Sequence, residues 1–359
     1  AQIALAEAAY REQDGSGMKV PLEATPADLR ESSWDYLFKH ADTSLASVKG
    51  EGVGAAAIPG RTGIFVVADL NDGITVVNAV TGERLSQFRT TPGQSGDWVR
   101  GVAVSPDGGR VAFGALGGAG IAIYDLRDGK SLIEWVAPDT DTLEFSADGS
   151  RLLQASGIEG LTCLWDAATG RRIWTLPSSG RAVFEPSGAQ VIAARGSDLV
   201  VVKALDGTIL RTLPRAQFPG VSAMAMHPRG KLVVTGGPGG YIRGLDLAEG
   251  RSLFEFHADD GYIRFLDFSP DGERLASVAE LAGQGQSIHV WDSATGVRLQ
   301  SLLGGFGRAE GFRIHPLSEE LLVSGSVTKS WTLAITKSAW TLPGVSAAAF
   351  LGSDEVCLG

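Results

Sequence analysis

An all-β ring of four-stranded sheets is the fold this sequence predicts, and three observations predict it. First, a strand–turn–strand unit recurs: VVNAVTGERLSQF (76–88), IYDLRDGKSLIEW (123–135), LWDAATGRRIWTL (164–176), VKALDGTILRTL (202–213), GLDLAEGRSLFEF (244–256) and VWDSATGVRLQSL (290–302), with a weaker copy at 333–342. Second, a different hairpin precedes the copies: VSPDGGRVAF (104–113), FSADGSRLLQ (145–154), FEPSGAQVIA (184–193), MHPRGKLVVT (226–235), FSPDGERLAS (268–277) and IHPLSEELLV (314–323), with AIPGRTGIFVV (57–67) and FLGSDEVCL (350–358) as looser fits. Third, the repeat spacing is roughly 36 to 47 residues, the period of four short strands per unit.

The physics behind the pattern is burial. One four-stranded sheet cannot cover both of its faces. Stacked radially against neighbours it can, and a closed ring leaves only short, protected edges. Innermost strands such as GVAVS, SAMAM and SAAAF are accordingly apolar and small. The turns carry Pro-Asp-Gly or Thr-Gly, which preset or tolerate the dihedrals a tight reversal needs. These units are blades, and the fold is a β-propeller.

Counting innermost strands near 53, 100, 141, 181, 222, 264, 310 and 345 gives eight blades, the last incomplete; seven is the alternative. Residues 43–359 form the propeller. Within it 43–50 (TSLASVKG) is expected to supply the outer closing strand of the last blade. Residues 1–42 are a helical N-terminal segment: 2–13 is Ala-rich, and Thr25-Pro26-Ala27-Asp28 is a helix start with a hydroxyl N-cap. A helix from there to about His40 would carry Leu29, Trp34, Leu37 and Phe38 as a stripe for the propeller's rim.

Composition excludes several functions. The chain has 359 residues, a net charge of −10 and a pI near 5.1, which argues against sequence-independent nucleic-acid binding. Its two cysteines cannot build a disulfide framework and fit a cytoplasmic location. No apolar run is long enough for direct membrane insertion. The sequence holds no HExxH, CxxC, EF-hand loop or GxSxG, and no metal or cofactor is expected. His227 and His315 precede Pro in equivalent turns of separated blades, so they read as turn-structural.

Ser105-Pro106-Asp107-Gly108, Ser269-Pro270-Asp271-Gly272, Trp165-Asp166 and Trp291-Asp292 carry a resemblance to the WD40-repeat family. The family's Gly-His pair is nearly absent, which implies that its buried polar network is mostly missing and that apolar packing holds the blades. The pieces LAEAAY, Pro26-Ala27-Asp28-Leu29-Arg30 and Trp34-Asp35-Tyr36-Leu37 resemble the lead-in of large bacterial WD40 proteins that often carry a serine/threonine kinase domain. The resemblance implies a non-enzymatic scaffold or complex subunit that docks a protein or peptide. A sensor or regulatory domain of a kinase-linked polypeptide is the alternative. A third reading, a propeller enzyme with a quinone-type cofactor, rests on Asp166, Thr169-Gly170 and Trp174, which share the spacing of the tryptophan-docking repeat of quinoproteins. Only this copy has the Trp.

On a propeller the residues that enter each innermost strand ring the central opening. Counting five back from the turns gives Arg100, Asp141, Ser222, Arg264 and Glu310; counting seven back gives Trp98 and Tyr262. Two blades thus present an aromatic-x-Arg pair, of residue types enriched at binding hot spots. These seven are the candidate partner-binding residues. Two loops of the same face, 90–97 and 280–287, exceed what the repeat requires, and extra loop length on a rigid scaffold is where function tends to sit.

Overall fold

The computed structural model describes residues 2–11, 18, 21–22, 24–26, 29–30, 32–34, 37, 44–49, 52–69, 73–88, 99–115, 120–196, 198–213, 220–281, 285–302, 308–333, 348–350 and 356–358. Six antiparallel four-stranded sheets follow one another along the chain, at 52–88, 99–135, 142–177, 182–213, 223–257 and 262–301. A seventh combines Gly311–Ile314, Glu320–Ser324 and Val327–Thr332 with Ala46–Lys49 from the front of the chain. The molecule is a seven-bladed β-propeller.

The first expectation, eight blades, is therefore corrected, and its alternative of seven holds. Ala46–Lys49 does act as an outer closing strand, pairing Ala46 with Ser330 and Val48 with Thr328, but the blade it completes is the seventh. The sequence offers two segments for one outer position, 43–50 and 333–342, and counting both inflates the ring by one. Of the second segment only Leu333 lies among the described residues. Ala348–Phe350 and Val356–Leu358 pair only with each other, as a separate hairpin.

The core confirms the count. Among the described residues, each pair of adjacent blades shares one buried apolar cluster. Leu153, Leu164 and Trp174 meet Val191 and Val200 between blades three and four. Ile288 and Val290 meet Phe312, Leu321 and Trp331 between six and seven. Leu322 joins Phe65, Val67 and Val77 between seven and one. At that last junction a Cβ on Gly311 would lie 2.5 Å from the Ala55 nitrogen. The two inner strands touch through backbone, and only glycine permits it.

A second contact runs round the perimeter. The outer strand of one blade lays a large apolar residue over the glycine of the next blade's outer turn. Trp135 covers Gly170, Trp174 covers Gly207 and Phe256 covers Gly296. Gly170 (φ 66°) needs both a left-handed backbone and a bare Cα, since a Cβ would meet the Trp135 ring at 3.0 Å. The series ends with Ala46 of the closing strand against Gly82 of the first blade.

The turns explain their own sequences. Ser269 Oγ accepts from Arg274 N at 2.9 Å and donates to Asp271 at 2.6 Å. In the Trp-Asp hairpins Asp292 Oδ1 accepts from Thr295 N at 2.8 Å and from its hydroxyl at 2.7 Å; Asp166 and Thr169 repeat this. His227 and His315 are turn residues, as expected. His315 is fully buried: Nδ1 accepts from Leu317 N, so Nε2 carries the proton and donates toward the carbonyls of Ile58 and Arg61 in the first blade, at 3.2 and 3.0 Å.

The expectation that the buried polar network is mostly missing needs correction in two blades, where other residues rebuild it. Trp291 Nε1 donates to Ser277 Oγ at 2.8 Å. Beside it Asp259 meets His289 Nε2 at 3.4 Å and accepts from Ser287. Asp259 is half-buried, which would raise its pKa, but the bonds from His289 and Ser287 hold it below the ordinary carboxylate value. In the third blade Trp165 Nε1 donates to Gln154 Oε1 at 2.8 Å, and Gln154 Nε2 donates to Thr140 Oγ1 at 2.9 Å.

The front segment differs from its prediction. Helix Gln2–Arg11 forms; the Thr25 hydroxyl donates back to the Pro21 carbonyl at 2.9 Å, and Ala27 and Asp28 of the expected helix start lie outside the described residues. Trp34 and Leu37 are buried against Ala6, Met18 and Leu22, a cluster with no propeller residue among those described. Leu29 is exposed and Phe38 lies outside the described residues. The stripe thus packs within the front segment rather than on the propeller's rim. Trp34 is fixed by its Nε1 bond to the Leu22 carbonyl, 2.8 Å, and by the Arg30 guanidinium 4.4 Å from its ring.

Candidate functional site

Seven inner strands surround a central cavity of about 380 Å³. Arg100, Asp141, Arg264 and Glu310 all line it, so the structure brings four of the predicted residues to one place. Each enters because an inner strand begins there, one blade after another. Trp98 lies outside the described residues, as does the loop 90–97. Tyr262 stands at the same rim, 44% exposed. Ser222 is buried, with its hydroxyl bonded to the Ile263 carbonyl of the next blade at 2.6 Å. It serves as an interblade tie.

The rim charges are linked. Arg264 bridges two carboxylates, Glu280 at 2.9 Å and Glu310 at 2.8 Å. Arg308 approaches the same pair at 3.9 and 3.4 Å. Arg100 lies 3.8 Å from Asp141, whose other oxygen accepts from Gly157 N at 2.6 Å. Glu280 belongs to the expected long loop 280–287, which proves to be largely hairpin: Glu280 pairs with Gln286 and Leu281 with Gly285. Its strands extend over the rim and carry Glu280 to Arg264, whose bond holds Glu280 below the ordinary carboxylate value.

Counting from the turns missed Arg181. It sits one residue further into its strand than its counterparts, four before Glu185 rather than five. Its Nε donates to the Ser222 carbonyl at 2.5 Å and its Nη1 to the Gly180 carbonyl at 3.0 Å. Among the described residues no carboxylate lies within ion-pairing distance of it. Burial pushes its guanidinium pKa down, Asp141 opposes this, and Arg264 and Arg100 add to it. The signal was present as an Arg beside the expected position in SSGRAVF.

Also missed were the charges inside the channel. Glu144, Asp267 and Arg313 occupy equivalent positions, each two residues before its turn, and all line the cavity. The signal was one charged residue in each of TLEFS, FLDFS and FRIHP, which breaks the rule that inner strands are apolar and small. Burial pushes the Glu144 carboxyl up to about 7, against a bond from Phe184 N at 3.0 Å and the attraction of Arg313, while Asp267 raises it further. Burial also raises Asp267, opposed by Arg313 and by N–H bonds from Ile314 at 2.9 Å and Phe268 at 3.0 Å. One arginine and two half-buried carboxylates thus share the channel and act on one another electrostatically.

Two families match. The one described as "Outer membrane protein assembly factor BamB" covers residues 135–257, and the one described as "WD domain, G-beta repeat" covers 250–292. Among curated proteins the chain is similar to cilia- and flagella-associated protein 52 of Chlamydomonas reinhardtii, 28% identical over 155 residues, 42% of this chain and 24% of that one. It is also similar to serine-threonine kinase receptor-associated protein of Mus musculus, 23% identical over 183 residues, and of Gallus gallus, 24% identical over 183 residues; each match covers 49% of this chain and 50% of the relative. The chain thus spans between a quarter and a half of the length of these relatives. They are eukaryotic and support neither the bacterial source nor the kinase linkage expected from residues 1–42. Among the described residues no helix is long and apolar enough to cross a membrane. Two Trp-Asp strands, the Ser-Pro-Asp-Gly turns and the match over residues 250–292 agree: the chain is a seven-bladed β-propeller that contains WD40-type repeats.

Proposed function

We propose that this protein is a non-enzymatic interaction module that docks a protein or peptide over the mouth of its central channel. The observation that carries the reading is the gathering of Arg100, Arg181 and Arg264, from three different blades, around one cavity, with Tyr262 at its rim, in a protein of net charge −10. Aromatic and Arg side chains are the residue types over-represented at binding hot spots. The scaffold beneath them is a closed ring, so docking needs little reorganisation, which favours affinity. The relatives are named as associated with cilia and flagella and with a serine-threonine kinase receptor, which points the same way.

The test uses the two most accessible members. Arg100 and Tyr262 are 37% and 44% exposed, so Arg100→Glu with Tyr262→Ala leaves the fold intact. Arg264 is avoided because its loss strands two carboxylates. The double variant is expected to weaken binding of a partner captured by the wild type at least tenfold, measured by surface plasmon resonance, while a perimeter change, Leu132→Glu, leaves it unchanged. Equal affinities for wild type and double variant would place the docking surface elsewhere.

A further inference from the structure

Among the described residues the charged groups of the mouth are Arg100, Arg181, Arg264 and Arg308 with Asp141, Glu280 and Glu310, and the same cavity is lined by Glu144, Asp267 and Arg313. The four arginines of the mouth differ in their partners. Arg264 is saturated by two carboxylates, Arg308 shares them, and Arg100 has Asp141. Arg181 alone of the four bonds only to carbonyls, at Gly180 and Ser222. It is half-buried and lines the cavity. A partly desolvated guanidinium without a counter-ion is costly, so an anion that reaches it is favoured.

Resting on the docking reading above, we infer that the channel mouth selects an acidic partner segment, and that Arg181 receives the side-chain carboxylate of one Asp or Glu inserted into the cavity. A monoanion fits here better than a phosphoryl dianion, because Asp141 and Glu310 line the same cavity and repel a second negative charge. A guanidinium also offers a carboxylate a planar pair of donors. Tyr262 stands at the rim near Arg181 and offers an aromatic surface for the flanking residues of the segment.

The probes are four decapeptide libraries, randomised except for a central Glu, Gln, Lys or phosphoserine, presented to the full chain and to its Arg181→Gln and Arg181→Lys variants. Wild type is expected to retain the Glu library at least tenfold over the Gln library, with the ratio falling as salt rises. Arg181→Gln is expected to abolish the preference and Arg181→Lys to keep part of it. Circular dichroism reports whether each variant is folded; if Arg181→Gln is not, the wild-type ratios and their salt dependence decide by themselves. Equal retention of Glu and Gln, preference for Lys, phosphoserine favoured tenfold over Glu, or no retention of the Glu library would each overturn the inference. Should all four libraries bind alike yet be lost on Arg100→Glu with Tyr262→Ala, carboxylate selection falls while docking at the mouth stands.

Discussion

A chain that begins at Gly52, and so lacks the closing strand, is expected to melt roughly 10 °C lower than one that begins at Thr43. The reason is that, among the described residues, Ala46–Lys49 alone pairs with the outer edge of the third strand in blade seven. Removing it deletes a four-residue ladder and the packing of Val48 and Ala46 on the first blade. At about 1 kcal/mol net per hydrogen bond, the loss is roughly 3–5 kcal/mol, a large share of the stability of an ordinary domain. It also bares a strand edge, and bare edges pair with other chains. The shorter protein should therefore elute from gel filtration partly as dimer or aggregate. The longer truncate, which loses only the separately packed front cluster, should stay monodisperse and melt near the full chain. Equal melting of the two truncates would contradict closure by this strand.

The second large effect concerns pH. The Glu144 carboxyl is pushed up to about 7 in the folded protein, first by burial and then by Asp267, with Phe184 N–H and Arg313 opposing. The folded state thus binds this proton more tightly than the unfolded state does. Its contribution to stability is complete below about pH 4.5 and is lost as pH rises through about 7. Glu144→Gln keeps an acceptor for Phe184 N–H and cannot ionise. Its stability relative to wild type should therefore climb between pH 4.5 and 7, by about 3 kcal/mol in all. Denaturant titrations at pH 4.5, 6 and 8 would show it, and a constant difference across that range would refute it. Asp267 is raised for the same reason, so Asp267→Asn should move in the same direction.

Much of the fold was legible because the turns are chemically explicit. Asp at the end of the third strand followed by Thr-Gly marks a hairpin whose hydrogen bonds are local, and these are the bonds found at Asp166 and Asp292. Blade number was not local information. It depended on whether 43–50 or 333–342 occupies one position, a choice made by pairing residues nearly 300 apart in sequence. The front segment misled for a related reason: its apolar stripe predicts a buried face without naming the surface that buries it.

The rim was largely legible, since strand entry at a fixed distance before each turn places Arg100, Asp141, Arg264 and Glu310 on the cavity. Ser222 obeyed the same count but is turned into an interblade bond, which only the spatial neighbour Ile263 reveals. Arg181 fell one place outside the count. Glu144, Asp267 and Arg313 were hidden by the assumption that inner strands are uniformly apolar. In this molecule three of the seven carry a charge two residues before the turn, and the channel rather than a core receives it.

The claim that the channel mouth is the docking face is tested most directly by photo-crosslinking in a lysate of the source cells. A benzophenone amino acid is placed at 262 on the mouth in one version of the protein and at 132 on the perimeter in another. The account predicts a discrete crosslinked partner from 262 that is absent from 132 and is competed away by unmodified protein. Crosslinking from 132 alone, or equally from both, would contradict it.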